Sequence, residues 1–435
     1  MKGQQIYKQA IKKIPGGTQL LSKRPEMYLP EQWPSYYSKA KGVEVWDLDN
    51  KRYIDMSNCS VGACVLGYAD PDVDSAVRAA IEQGSISTLN CLEEVELADL
   101  LCELHPWADM VRYARSGGEA MAAAVRIARA NSGKDKIAFC GYHGWHDWYL
   151  AANIGEHDAL DGHLLPGLSP AGVPRALANT ALPFHYNKIE ELEEIVSIHS
   201  KDLGTIVMEP IRSYNPESNF LAHVREIASD IGAVLVFDEI TSGWRLNNGG
   251  AHLKIGVNPD IAVFSKAMSN GYPMASIIGT KSVMQAAENT FISSTYWTER
   301  IGPTAALATI QKYGNCNVSK HLRYIGECIQ DIWLSSASTI GLPIEVGGIS
   351  ALPHFSIVCD ESQLASTLFT QLMLEKGFLA TNAFKATYAH RDEHMLAYSK
   401  SINEVFSIIT KSIGDGDLHS KLQGPVAHST FRRLT

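Results

Sequence analysis

The chain has 435 residues, more than one hydrophobic core usually supports, which predicts a large domain with a smaller one attached. Hydrophobic residues make up 45% and charged residues 20%, the make-up of a soluble globular enzyme. A formal charge of −9 argues against nucleic acid or an anionic membrane as the main partner, while leaving room for a local basic pocket.

Residues 1–13 carry lysines and alternate polar with apolar positions, which is not the pattern of a signal peptide. No run of about 18 apolar residues exists to span a membrane. The eight cysteines form no CxxC pair and read as scattered free thiols, so a cytoplasmic, reducing location is expected. Pro15-Gly16-Gly17, Pro25, Pro30 and Pro34 then break the early segment. From Gly42 to Ile54 the residues alternate, pause at Asp49-Asn50 and alternate again, which predicts a β-hairpin.

Between residues 70 and 310 the pattern becomes helix, short apolar strand, loop, helix. Strands are predicted at Lys136–Cys140, Thr205–Met208, Ala233–Phe237 and Ile261–Phe264, with a helix over Glu119–Arg129. Such alternation predicts an α/β fold with a mostly parallel sheet wrapped by helices. The C-terminal hundred or so residues, with a strand expected over Ala351–Val358, read as a smaller α+β domain. The boundaries expected are 1–65 for an N-terminal segment of the small domain, 66–310 for the large domain and 311–435 for the rest of the small one. Residues 413–435 lack periodicity and are expected to pack loosely.

Three successive strands finish on a charged residue: Glu209, Asp238 and Lys266, spaced by 29 and 28 residues. Parallel strands with one helix between them put all three on the same edge of the sheet, where open α/β folds bind ligands. A lysine there, with a lowered proton affinity, forms an imine with an aldehyde. A nearby carboxylate keeps a pyridine nitrogen protonated. Singly, the Asp-Glu pair also reads as a helix cap and the lysine as a solvated loop residue. Ser116-Gly117-Gly118, just before an Ala-rich helix, suits a phosphate, though a plain serine cap fits it as well. In Gly141-Tyr142-His143-Gly144-Trp145-His146-Asp147 an aromatic at a strand end suits stacking on a flat ring. Its HxxHD spacing matches no zinc pattern, so no metal is expected.

With these residues in hand, the chain resembles a class III (fold type I) aminotransferase dependent on pyridoxal 5'-phosphate. Within that class it is most similar to the glutamate-1-semialdehyde aminomutase-like branch, from about Pro15 to His390. The resemblance implies a Schiff base on Lys266, with the released amine shuttling a proton. It implies Asp238 on the pyridine nitrogen, Tyr142 in Tyr142-His143-Gly144 stacked on the ring, and Ile240 on the opposite face. His143 and Glu209 join the cofactor-binding set. Ser116, Gly117 and Gly118 hold the phosphate, with a glycine at 118 where the family has threonine. Counting back from Pro303, Thr298 would reach the phosphate from the partner subunit, which implies a homodimer. The family's substrate arginine falls at Lys23 or Arg24, and Lys385 stands where a glutamate follows the late phenylalanine.

The expected reaction passes an amino group from an amino-acid donor to a carbonyl acceptor. Lys385 and the departing loop after Asp147 favour this over an intramolecular aminomutase. A nucleotide-binding α/β module without cofactor is the rival from another class. Tyr142, Trp145, Tyr296, Trp297, Lys23, Arg24, Arg115 and Lys385 are expected around the mouth, which suits a polar or anionic acceptor such as a keto sugar.

Overall fold

A computed structural model describes residues 1–156, 158–163, 166–211 and 215–430. The chain divides into two compact units, one of residues Met1–Asp70 with Lys320–Thr435, the other Pro71–Ser319. Among the described residues, no helix is long and apolar enough to cross a membrane.

The first unit opens with strands β1 (Tyr37–Lys41), β2 (Glu44–Asp47) and β3 (Arg52–Met56), successively antiparallel. The hairpin expected over Gly42–Ile54 is present as β2 and β3. Its turn works because Asn50 takes a φ of +62° and Asp47 Oδ1 accepts the N–H groups of Asp49 and Lys51 at 2.8 and 2.9 Å.

The second unit carries β4 (Met110–Ala114), β5 (Lys136–Cys140), β6 (Ala181–Pro183), β7 (Leu203–Met208), β8 (Val234–Asp238), β9 (Ile261–Phe264) and β10 (Ala275–Gly279). They form one sheet in the order β4-β10-β9-β8-β7-β5-β6. The five strands from β9 to β6 run parallel, while β10 is antiparallel to both its neighbours. The sheet is therefore mostly parallel, as the alternating pattern predicts, with an antiparallel edge that the pattern did not reveal.

Both faces of this sheet are buried, which is why its strands are apolar throughout rather than at every second position. Ile137, Phe139, Val207, Val236 and Val263 face one core, with Ala120, Ala124, Ile127 and Ala128 of the helix Gly117–Ser132. Ala138, Ile206, Met208, Leu235 and Phe237 face the other. Small alanines let that helix lie close across the sheet, and Gly133, at φ +65°, ends it in a left-handed cap.

The chain then returns to the first unit with β11 (Ile344–Gly347), β12 (His354–Ile357) and β13 (Phe378–Ala380), the last adding parallel to β3. The strand expected over Ala351–Val358 is shorter than its apolar run. Pro353 offers no N–H for a ladder, and β12 starts just after it. The expectation of a loose tail over residues 413–435 is corrected up to residue 430, and residues 431–435 lie outside the described residues. Residues 413–415 end the long helix Asp392–Asp415, and the segment beyond it is fastened to the helix Ser362–Glu375. Gln423 N–H donates to Gln371 Oε1 at 2.8 Å and Ala427 N–H to Thr367 Oγ1 at 3.1 Å. Polar anchors of this kind leave no hydrophobic period in the sequence.

Candidate active site

The carboxyl ends of β5, β7, β8 and β9 form one rim. Pairing of Cys140 with Met208 and of Met208 with Phe237 sets Gly141, Glu209 and Asp238 in a row, and Lys266 follows two residues after β9. The expected common edge for Glu209, Asp238 and Lys266 is thus what the register gives. Lys266 sits at φ +50°, a left-handed conformation that costs a non-glycine residue of order 1–3 kcal/mol. Its Nζ donates to Thr241 Oγ1 at 2.9 Å. A strained backbone and a side chain held by a hydroxyl fix where the amine stands.

Asp238 is buried and tied from two sides. Its Oδ1 accepts the Ile240 N–H at 3.0 Å, and its Oδ2 lies 2.8 Å from Nδ1 of the buried His143. The other ring nitrogen of His143 is 3.0 Å from the Cys140 carbonyl, which can only accept. Nε2 therefore donates to it, and Nδ1 faces the carboxylate. The imidazole and the carboxylate, both buried, hold each other in one orientation.

Glu209 does its work on the loop after β5. Its Oε2 accepts the Tyr142 N–H at 3.2 Å and packs under Gly141, where a side chain would start 2.7 Å from that oxygen. Gly141, at φ +107°, is the residue type this approach requires. The Tyr142 ring meets Tyr149 edge-on, and the Tyr149 hydroxyl donates to the Gly141 carbonyl at 3.0 Å.

The turn Ser116-Gly117-Gly118 caps the helix Gly117–Ser132. The Glu119 carboxylate folds back to accept both the N–H and the hydroxyl of Ser116 at 2.9 Å, so the serine is a helix cap as well as part of the turn. A side chain at Gly117 would begin 2.7 Å from Ile240 Cδ1, and one at Gly118 would begin 3.1 Å from His146 Cε1. Arg115 pairs through Nε with Glu299 Oε1 at 2.8 Å and donates from Nη2 to the Glu299 carbonyl at 2.7 Å. Glu299 also caps the helix Ile301–Asn315. Arg115, expected as a cation near the mouth, staples the turn to the segment carrying Thr298. Thr298 itself is exposed, its hydroxyl donating to the Thr295 carbonyl at 3.1 Å.

The family model for class III aminotransferases matches residues 29–406. The chain is a class III aminotransferase. It is 31% identical to a 3-aminobutyryl-CoA aminotransferase from Cloacimonas acidaminovorans (strain Evry), over 94% of this chain and 97% of the relative. Its fold matches an ω-transaminase from Sphaerobacter thermophilus with a TM-score of 0.83 at 22% identity, covering 94% of this chain and 98% of the other. It also matches a glutamate-1-semialdehyde aminomutase from Pseudomonas aeruginosa PAO1 with a TM-score of 0.78 at 18% identity, covering 94% of each. The expected class, the fold type I architecture and the pyridoxal phosphate cofactor stand, and aminotransferase is favoured over aminomutase.

One feature of the aminotransferase lay outside the sequence reading. Glu239, read only as the second half of an Asp-Glu pair, is fully buried. It accepts hydrogen bonds from His252 Nδ1 at 2.8 Å, from the His252 N–H at 2.9 Å and from the Ser242 hydroxyl. Trp107 Nε1 donates to His252 Nε2 at 2.9 Å, which fixes the ring as the Nδ1–H tautomer. Burial alone would raise the Glu239 pKa, but the His252 and Ser242 hydrogen bonds bring it below the usual carboxylate range. This anchor holds the base of the loop that carries Ile240 and Thr241.

The three expected substrate residues belong to the first unit. Lys23 ends the short helix Leu21–Lys23 and is exposed, and half-buried Arg24 lies against Gly16. Lys385, also half-buried, donates its N–H to the Ser57 carbonyl at 2.7 Å. With Ser22, Tyr28, Asn58, Thr370 and Thr381 it lines a cavity of about 270 Å³, just below the ~300–1,000 Å³ common for small-molecule sites.

Proposed function

We propose that this aminotransferase carries the amino group of an amino acid, with L-glutamate the first donor to test, to a small polar or anionic carbonyl compound such as a keto sugar. The observation that carries the reading is the convergence at the strand-end rim of a fixed amine, a buried carboxylate and a glycine turn at a helix start. These residues fit pyridoxal phosphate. Gly117 and Gly118 leave the first N–H groups of the helix open to a phosphate, and Lys266 and Asp238 supply the amine and the acid partner.

When bound, the cofactor supplies an aldehyde to take up the amino group and an electron-poor ring to accept the pair left when a C–H bond breaks. Lys266 Nζ would hold that aldehyde. Freed of that bond, the same amine would be placed to accept the proton from the donor carbon and pass it on. Thr241, 2.9 Å from Nζ, keeps the amine oriented. Asp238 would hold the pyridine nitrogen protonated, and His143 keeps the carboxylate in place. Tyr142 and Ile240 would bracket the ring. Glu209 accepts the Tyr142 N–H and so sets the loop that carries that ring.

We also propose a cytoplasmic homodimer in which Thr298 reaches the phosphate of the partner subunit. Exposed apolar side chains in the second unit support the dimer: Leu89, Leu92, Phe291 and Tyr296 are all at least 65% exposed in the single chain. All eight cysteines are free, which supports the reducing location. The hydroxyl-rich cavity with Lys385 supports a polar, anionic acceptor. A relative named for an amine on carbon 3 supports a substrate nitrogen away from the α-carbon.

The test is a single turnover with L-glutamate and no acceptor. Loss of the visible band of the lysine-bound cofactor, with one equivalent of 2-oxoglutarate released, is the expected result. A spectrum unchanged by glutamate would remove glutamate as donor. A spectrum also unchanged by alanine and other common amino acids would overturn the intermolecular scheme with ordinary donors.

A further inference from the structure

The imidazole of His146 takes no part in the chemistry assigned to Lys266 and Asp238. Its ring lies over the first turn of the helix Gly117–Ser132, with Cε1 and Nδ1 at 3.1 and 3.2 Å from the point where a side chain at Gly118 would begin. The Trp145 indole stacks on it, with centroids 4.3 Å apart and planes 25° apart, so the ring is held in one plane. Its Nδ1 is buried and meets no hydrogen-bond partner among the described residues.

A buried ring nitrogen left without a partner is costly, and an apolar ring would fill the same space without that cost. The cost is recovered when a ligand supplies the acceptor. The nearest backbone is the start of a helix, whose first N–H groups lack acceptors within the helix and point toward an anion. Desolvation holds the His146 pKa below its ordinary range, so near neutral pH the ring carries a single N–H. Placed on Nδ1, that proton gives a donor beside Gly118, in the first turn of that helix.

We propose that His146 is a further cofactor-positioning residue: its Nδ1–H donates to an oxygen of the cofactor phosphate at Ser116–Gly118. Gly118 is glycine because the imidazole stands where its side chain would be. The proposal rests on the placement of the phosphate at this turn.

The experiment titrates the full-length protein, stripped of cofactor, with pyridoxal phosphate and with pyridoxal, which lacks the phosphate. Wild type is expected to bind pyridoxal phosphate far more tightly. His146→Ala should weaken pyridoxal phosphate by about tenfold, the effect of one charge-assisted hydrogen bond, and leave pyridoxal unchanged. Gly118→Ala, whose methyl would press on the ring, should cost the same ligand and spare pyridoxal. The double variant Gly118→Thr/His146→Ala, with room for a hydroxyl in place of the imidazole, should recover part of the lost affinity. Equal weakening of both ligands by His146→Ala would mark a purely structural role and overturn the proposal, as would no change in either. A wild-type protein that does not distinguish the two ligands would instead remove the phosphate from this turn, and the His146 assignment with it.

Discussion

The rim of the large sheet and the cavity of the first unit are both polar, yet they are built on different terms. At the rim the amine and the carboxylate have long-range partners: Asp238 meets His143 across 95 residues, and Lys266 meets Thr241 across 25. In the cavity, hydroxyls bond mostly to their own neighbourhood, as when Thr370 donates to the Ser366 carbonyl one helical turn back. Groups satisfied locally can be exchanged without disturbing a distant element, whereas the rim fixes a geometry that no single exchange preserves. The rim's construction suits chemistry that tolerates no exchange, and the cavity's suits contacts that can vary.

The largest break in this comparison comes from Lys266→Ala, which should lower turnover by at least about a thousandfold. Multiple turnover at the wild-type rate would remove Lys266 from its role. Asp238→Asn should retain cofactor but lose turnover on the order of a hundredfold, about 2.7 kcal/mol of barrier, because an amide cannot keep the ring nitrogen protonated. Full activity there would release Asp238 and leave His143 without purpose.

A smaller effect separates the units by pH. Each buries a neutral histidine, His105 with its pKa pushed down by burial to about 4 and His390 to about 3. The unfolded chain takes up these protons near pH 6.5. Below that pH the unfolded state binds more protons, so stability is full above about 6.5 and is lost as pH falls toward the folded values. Denaturant unfolding measured from pH 7 to 4 should show this decline, and His390→Gln should flatten it. A slope identical to wild type would mean that His390 is not neutral in the folded protein. The mildest effect is expected in the cavity. Lys385→Ala should lower the preference for anionic over neutral acceptors by a few-fold and spare the half-reaction with the donor. An unchanged preference would remove Lys385 from acceptor choice.

Much of the rim was legible because its signals are local. Glu209, Asp238 and Lys266 each end a short apolar run, and one strand–helix spacing separates them. Ser116-Gly117-Gly118 announced itself by standing before an Ala-rich helix. The partners were hidden because pairing across the chain leaves no period: nothing in the sequence joins Glu239 to His252, Arg115 to Glu299 or Gln371 to Gln423. His146 was visible only as part of a spacing weighed for metal, since the glycine opposite it gains meaning from a contact in space.

The left-handed backbone at Lys266 has a consequence for heat tolerance. Glycine accepts that conformation freely, whereas alanine and lysine do not. An inactive Lys266→Gly protein should therefore melt later than its Lys266→Ala counterpart, despite glycine's greater freedom when unfolded. The residue that catalysis needs most is one that thermal selection alone would discard.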